Sequence, residues 1–198
     1  MPEEQETLMN SGILRQQLES FGRGPFLLSA ALEQFPKKMW LYKPSDDSWS
    51  IHENILHLAD SEAHAYIRCR RFIAEPGSSI AQFDSKSWAC NLGYFHQSTR
   101  EALRIIRNLR RTTYELLIAL PRSVWEHSLE DATEGRLTLS DWLRLEEDHI
   151  PRHIGQMKRN HETWLEKRTV GACLLGQDDR TAGSRDVSVK LNLECARR

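Results

Sequence analysis

Two histidines on the carboxyl-terminal side of the chain, His149 and His153, have the spacing of metal ligands. On a helix, residues four apart project from one face about one turn apart, so one metal ion could contact both imidazoles. Pro151 lies between them and removes a helical hydrogen bond, which favours a kink that could aim the two side chains. Such a pair can also arise by chance among eight histidines, so the alternative is two solvated side chains.

A third histidine, His57, is the candidate that would complete a site. It lies in the first two turns of a helix that we expect to begin at Ser50, because Ser50 and Glu53 have the spacing of a capping box. The helical wheel places His57 beside the apolar stripe of this helix, so it should face a neighbouring helix more than the bundle axis. Three neutral imidazoles without a thiolate or a fourth protein ligand are typical of an open metal site, where water or substrate takes the remaining position.

Three further polar residues are candidates for a supporting or catalytic role near these histidines. Glu62 falls within the apolar stripe of its helix, where a carboxylate needs a partner. It could act as a second layer around the metal or as a base, and the alternative is a structural pair with an arginine or a tryptophan N–H. Glu146 and Gln156 lie near the histidine pair, and for both the alternative is a surface or structural role.

The elements that carry these residues are predicted to be four amphipathic helices of an all-α bundle, with a long connection before the last helix. The third helix ends at Pro121, and four arginines on its outer face are interpreted as a solvated charged surface. The connection contains a brief strand-like pattern and a turn, and no sheet is required. The predicted helices cover 25–35, 50–73, 92–120 and 138–167, and the arginines are Arg104, Arg107, Arg110 and Arg111.

The chain is predicted to have one folded domain between two appendages. Residues 1–24 are a helical lead-in, which Gly22-Arg-Gly-Pro should separate from the bundle at 25–168. Residues 169–198 contain no aromatic side chain and many Gly, Ser, Asp and Arg residues, so we expect a mobile tail.

Composition argues against several classes of partner, although a local charged patch stays an alternative. The 27 basic and 28 acidic side chains leave a net charge of -1, which gives no overall field for binding nucleic acid or an anionic membrane. The apolar runs are far shorter than the roughly 20 residues of a membrane span. The acidic amino terminus does not resemble a secretory signal, and the four cysteines show no CxxC spacing and are expected to be reduced thiols. We therefore predict a cytoplasmic protein.

The motifs around these residues resemble the DinB-like (DinB/YfiT-like) family of metalloenzymes over residues 26–167. That resemblance implies a four-helix bundle, often a homodimer, in which His57, His149 and His153 hold a divalent metal. The order and the spacing both match, and the segments that carry the resemblance are Tyr42-Lys-Pro, Trp49-Ser-Ile-His-Glu-Asn-Ile-Leu-His57-Leu-Ala-Asp-Ser-Glu62, Leu137-Thr-Leu-Ser-Asp-Trp142 and His149-Ile-Pro-Arg-His153-Ile-Gly-Gln156.

The resemblance also suggests a function, because some members of the family are thiol-dependent transferases or isomerases. The first hypothesis is a zinc- or nickel-dependent transferase that joins a low-molecular-weight thiol to a small electrophile. Metal-assisted hydrolysis is the alternative reaction, and a non-catalytic dimeric bundle that binds a metal or small ligand is the alternative class. A pocket of roughly 300 Å³ or more at the open metal position would favour an enzyme over a sealed binding module.

Overall fold

The computed structural model describes residues 2–80, 84–131 and 135–175, with side chains between 12 and 169. Within these ranges four long helices, α1, α2, α4 and α5, pack as a bundle, so the predicted architecture is confirmed. A short helix, α3, and a three-stranded sheet are added to it. The helices are α1 (Pro2–Glu33), α2 (Ile51–Ala74), α3 (Ser85–Asn91), α4 (Thr99–Leu117) and α5 (Leu139–Leu175), and the strands are β1 (Ser79–Ile80), β2 (Ser128–Asp131) and β3 (Gly135–Thr138).

The two helices that carry the histidines begin at residues that cap them, as predicted. The Ser50 hydroxyl accepts a hydrogen bond from the Glu53 backbone N–H at 3.2 Å, and the Glu53 carboxylate accepts one from the Ser50 N–H at 2.7 Å. Thr138 and Asp141 make the same reciprocal bonds at the start of α5. These bonds satisfy backbone donors that the first helical turn leaves unpaired, and they fix where each helix starts.

We predict that Ser50→Ala lowers the free energy of unfolding by about 1 kcal/mol, because the alanine cannot accept the Glu53 N–H. Urea denaturation followed by circular dichroism measures the change. The control is Ser20→Ala, which replaces an exposed serine within α1 and should not destabilise the protein. Equal stability of the Ser50 and Ser20 variants would contradict the capping role.

The predicted break after residue 21 is wrong, because α1 runs without interruption through Gly22, Gly24 and Pro25. The two glycines serve close packing. A Cβ atom on Gly22 would lie 2.9 Å from the Tyr114 ring, and one on Gly24 would lie 2.9 Å from Ile150. The predicted domain boundaries stay a prediction, and the tail predicted at 169–198 lies almost wholly outside the described side chains. The α5 backbone continues to residue 175, beyond the end expected near 167.

The third long helix begins at Thr99, not at residue 92 as predicted. Gly93 has a left-handed φ of 58° after α3, and the Ser98 side chain caps the new helix by accepting the Glu101 N–H. The apolar repeat of this helix predicts Leu109 and Leu116 on its inner face, but the following residues, Arg110 and Leu117, are buried instead, because a strict seven-residue repeat drifts around a straight helix. Its buried residues are Ala102, Ile106, Arg110, Thr113 and Leu117.

The connection before the last helix forms a sheet that the sequence analysis did not require. β2 and β3 pair as an antiparallel hairpin with Leu129 opposite Leu137, and β1 adds to β2 in parallel. Both leucines are buried in the part of the core that also contains Phe72 and Trp142. The connection therefore contributes core residues, which explains why it is ordered as strands.

Two expectations from composition can be compared with the structure. No helix within the described ranges is long and apolar enough to cross a membrane. Cys69 is a buried free thiol, as expected, whereas Cys90 is disulfide-bonded, so the expectation of reduced thiols is wrong for Cys90. The cytoplasmic location stays a prediction.

Candidate metal centre

The structure brings the three predicted histidines together between α2 and α5. One ring nitrogen from each of His57, His149 and His153 lies within 4.8 Å of the others, and the Nε2 atoms of His149 and His153 are 3.1 Å apart. His57 does face the neighbouring helix, as its place beside the apolar stripe predicted. That orientation favours the site, because the cluster lies at the contact between α2 and α5.

Asn54 orients His153 and determines which of its ring nitrogens carries hydrogen. The Asn54 amide nitrogen donates to the Ser50 carbonyl at 2.8 Å, which turns the amide oxygen toward His153 Nδ1 at 2.7 Å. An amide oxygen only accepts, so His153 Nδ1 carries the hydrogen and the Nε2 lone pair points into the cluster. Asn54 was not predicted to have this role. The signal that could have found it is an amide side chain within the apolar stripe of α2, three residues before His57.

Trp49 covers one side of the cluster. Its ring centre lies 4.5 Å from that of His57 and 6.3 Å from that of His153, nearly parallel to the second ring. The Trp49 carbonyl accepts a hydrogen bond from the Asn160 amide at 2.7 Å, which ties the segment before α2 to α5. The indole therefore restricts the orientation of two of the three imidazoles.

Burial keeps all three imidazoles uncharged. The pKa is lowered to about 3 for His57, about 2 for His149 and about 4 for His153, mainly by burial and to a smaller extent by neighbouring positive charges. A metal ion binds the neutral form of imidazole, so the side chains have the protonation state of ligands at pH 7.

Glu62 is paired with an arginine that the sequence analysis misplaced. Arg110 was assigned to the solvated face of its helix, but it is 1% exposed and donates from Nε to both Glu62 carboxylate oxygens at 2.9 Å. Arg110 Nη1 also donates to the Glu146 backbone carbonyl at 3.1 Å. One guanidinium thus links α2, α4 and α5, and the structure gives Glu62 the paired role that was its alternative.

Glu146 is placed differently from Glu62. It lies one turn before His149, and its Oε2 atom is buried without a hydrogen-bond partner among the described residues. Burial raises the pKa of the Glu146 carboxyl to about 7, partly offset by Arg110, while the Glu62 charge adds to the rise. Glu146 is outside the three-histidine cluster. Gln156 does not line the cavity beside that cluster within the part of the chain that is described.

A cavity of about 340 Å³ lies against the cluster. His57 and His149 form part of its wall with Glu146, and the indole N–H of Trp142 in the same wall has no hydrogen-bond partner among the described atoms. Its volume exceeds the roughly 300 Å³ expected of a small-molecule site. The other polar residues of the wall include Ser61, His64, Arg68 and Arg152.

The contribution of α2 to this cavity extends beyond the residues predicted from the sequence. Neither His64 nor Arg68 was among the predicted site residues. A polar stripe at alternating steps of four and three residues, through His57, Ser61, His64 and Arg68, is the signal that could have revealed them.

Comparison with known proteins identifies the family. The model of the DinB superfamily matches residues 21–157. This chain belongs to the DinB superfamily. A relative from Oceanobacillus iheyensis, named "Putative metal-dependent hydrolase OB0782", is 27% identical over 109 residues, which cover 55% of this chain and 63% of that protein.

A solved structure supports the fold of this DinB-superfamily chain. YfiT from Bacillus subtilis is described as a probable metal-dependent hydrolase with an unusual four-helix bundle topology. It superimposes with a TM-score of 0.69 at 22% identity, over 74% of this chain and 85% of YfiT. At that identity the match shows that the two proteins share the bundle. The chain spans less than two thirds of the length of the Oceanobacillus relative.

Proposed function

We propose that this protein is a metal-dependent hydrolase of small molecules. The observation that carries the proposal is a cavity of substrate size that joins the histidine cluster to the buried carboxylate of Glu146. The names of the Oceanobacillus relative and of YfiT agree with the hydrolysis that the sequence analysis gave as an alternative. They give no support to its first hypothesis, thiol transfer.

The residues of the cluster fit a zinc or nickel ion. His57, His149 and His153 would hold it through uncharged imidazoles, and the hydrogen bond from His153 to Asn54 leaves the Nε2 lone pair available. A bound ion of this kind polarises a substrate oxygen and lowers the pKa of water. The donor set has no thiolate, which is typical of open catalytic sites.

Glu146 is the proposed proton carrier. Its ionised carboxylate, whose Oε2 has no hydrogen-bond partner among the described residues, would take a proton from the attacking water, and the neutral acid would then return it to the leaving group. Hydrolysis is balanced by this exchange, since the hydroxyl of water goes to the electrophilic centre and its proton to the leaving group. The bond from Arg110 to the Glu146 carbonyl holds this turn of α5 in place.

A non-catalytic binding bundle is the weaker candidate, because a binding module has no need of a substrate-sized cavity with an unpartnered carboxylate in its wall. The proposed homodimer, the small-molecule substrate and the absence of nucleic-acid and membrane partners rest on the resemblance and on composition.

We expect the metal-loaded protein to hydrolyse one member of a panel of p-nitrophenyl esters and phosphate esters faster than the chelated protein does. A general base acts in its ionised form, so the rate should rise with pH through the pKa of Glu146, which is about 7 in the metal-free protein and which the charge of a bound ion would lower. Glu146→Gln should lower the rate by about 100- to 10,000-fold and remove this pH dependence, while metal content is unchanged.

The matched control is Glu147→Gln, which removes the same charge from the adjacent residue and should leave the rate unchanged. Metal-dependent conjugation of a low-molecular-weight thiol to monochlorobimane, without hydrolysis of any ester, would favour the transferase and contradict the proposal.

A further inference from the structure

A second cavity, which we call the side cavity, lies next to the metal cavity. Its volume is about 280 Å³, and most of its exposed wall is apolar, although His64, Arg68 and Arg71 also contribute to it. His64 and Arg68 belong to the walls of both cavities, so α2 forms a ridge between them. The apolar residues of the side cavity are Ala63, Ile67, Ile80 and Trp88.

Two apolar side chains of the side cavity are partly exposed. Ile67 is 56% exposed and Trp88 is 37% exposed, although both border the same cavity. Trp88 is held edge-on against the His64 ring, with ring centres 4.9 Å apart. Neighbouring exposed apolar side chains around a concave surface are typical of a ligand site.

The ridge between the cavities contains a buried hydrogen-bond donor. Arg68 Nη2 binds the Asp131 carboxylate at 2.8 Å, whereas the buried Arg68 Nε has no hydrogen-bond partner among the described residues. An oxygen of a ligand that crossed the ridge could accept this N–H after a small rotation of the guanidinium that uncovers it. A buried donor without a partner is costly, which favours a site that a ligand completes.

We infer that the side cavity is a substrate subsite and that the protein acts on carboxylic acid derivatives carrying an aryl or short alkyl group. The apolar group would lie against Ile67 and Trp88, and an oxygen near the hydrolysed bond would accept from Arg68. A cavity of about 150 Å³ already accepts benzene, so the side cavity can hold one substituted ring. This inference rests on the proposed function, because the metal cavity must hold the reacting bond.

The test uses two carboxylates that are not turned over, 3-phenylpropanoate and acetate, with the metal-loaded and the chelated protein. Binding is followed through the NMR signal of the Trp88 indole N–H, assigned with Trp88→Phe. We expect 3-phenylpropanoate to bind wild type at least about tenfold more tightly than acetate, since burial of a ring is worth more than one factor of ten. The Trp88 signal should shift with 3-phenylpropanoate and not with acetate.

Two variants at exposed positions test the location without disturbing the core. Ile67→Ser should remove most of the preference for 3-phenylpropanoate, and Ala63→Trp should block it by filling the side cavity. The control, Ile105→Ser, replaces an exposed isoleucine of α4 and should keep the full preference. Equal binding of the two carboxylates by wild type, or a preference that survives both variants, overturns the subsite.

The outcomes separate this inference from the proposed function. Preferential binding without ester hydrolysis would keep the subsite and reject the hydrolase. Metal-dependent hydrolysis of p-nitrophenyl acetate with no preference between the carboxylates would keep the hydrolase and reject the subsite.

Discussion

Alanine in place of His57, His149 or His153 should each remove bound metal and leave the bundle folded. Each variant would lose one of three ligands. Losing a residue that only hydrogen-bonds to a ligand costs up to about 100-fold in metal affinity, so we expect the loss of a ligand itself to cost more than that. Folding should persist because the core around Leu58 and Ile106 is apolar and does not involve the ion. Metal content by mass spectrometry and helicity by circular dichroism measure the two effects.

The matched control for these variants is His161→Ala, which replaces a histidine of α5 that lies outside the cluster and packs on Phe35. It should keep full metal content. Asn54→Ala is informative as an intermediate case, because loss of the His153 partner should cost about 10- to 100-fold in affinity. Full metal content in His57→Ala would show that the three-histidine assignment is wrong.

Arg110→Met should lower the free energy of unfolding more than any other single change among the polar residues that pair beside the metal cavity. It leaves the Glu62 carboxylate, which is 2% exposed, buried without its countercharge, at a cost of about 3–5 kcal/mol in the free energy of unfolding. The variant also loses the bond to the Glu146 carbonyl and the contact of the guanidinium with the Phe21 ring. Guanidinium chloride unfolding measures the change.

A double variant that removes both charges distinguishes the cost of an unpaired charge from the cost of lost packing. Glu62→Leu combined with Arg110→Met leaves no unpaired charge, so the double variant should be more stable than Arg110→Met alone. The control is Arg111→Met on the same helix, whose side chain is 77% exposed and should cost no more than about 1 kcal/mol. A double variant as unstable as the single one would contradict this account.

Local signals in the sequence predicted the parts of this protein that local interactions determine. The capping residues Ser50 and Thr138 gave the starts of α2 and α5 to within one residue. The spacing of His149 and His153 predicted that they share a helix face, and the resemblance added His57. These inferences need only neighbours in the chain or a motif order, and the structure agrees with each of them.

The parts that the sequence did not predict depend on contacts between distant residues. Arg110 and Glu62 are 48 positions apart, and nothing near Arg110 indicates that its helix turns it inward. His153 and Asn54 are 99 positions apart, so the hydrogen bond that orients the imidazole appears only after α2 and α5 have packed. The side cavity is lined by residues of α2, β1 and α3, so no single segment of the sequence indicates an apolar cavity.

The distance in sequence between His57 and the other two histidines has a consequence for the protein in the cell. In the unfolded chain the distance between His149 and His153 fluctuates, and His57 is not held near them. An ion would therefore bind the native state far more tightly than the unfolded state. At a free concentration of 100 times its dissociation constant, such an ion adds about 2.7 kcal/mol to stability by mass action. Scarcity of the metal would then leave most molecules folded but raise the small unfolded fraction that proteases degrade, so metal supply would influence the lifetime of the protein as well as its activity.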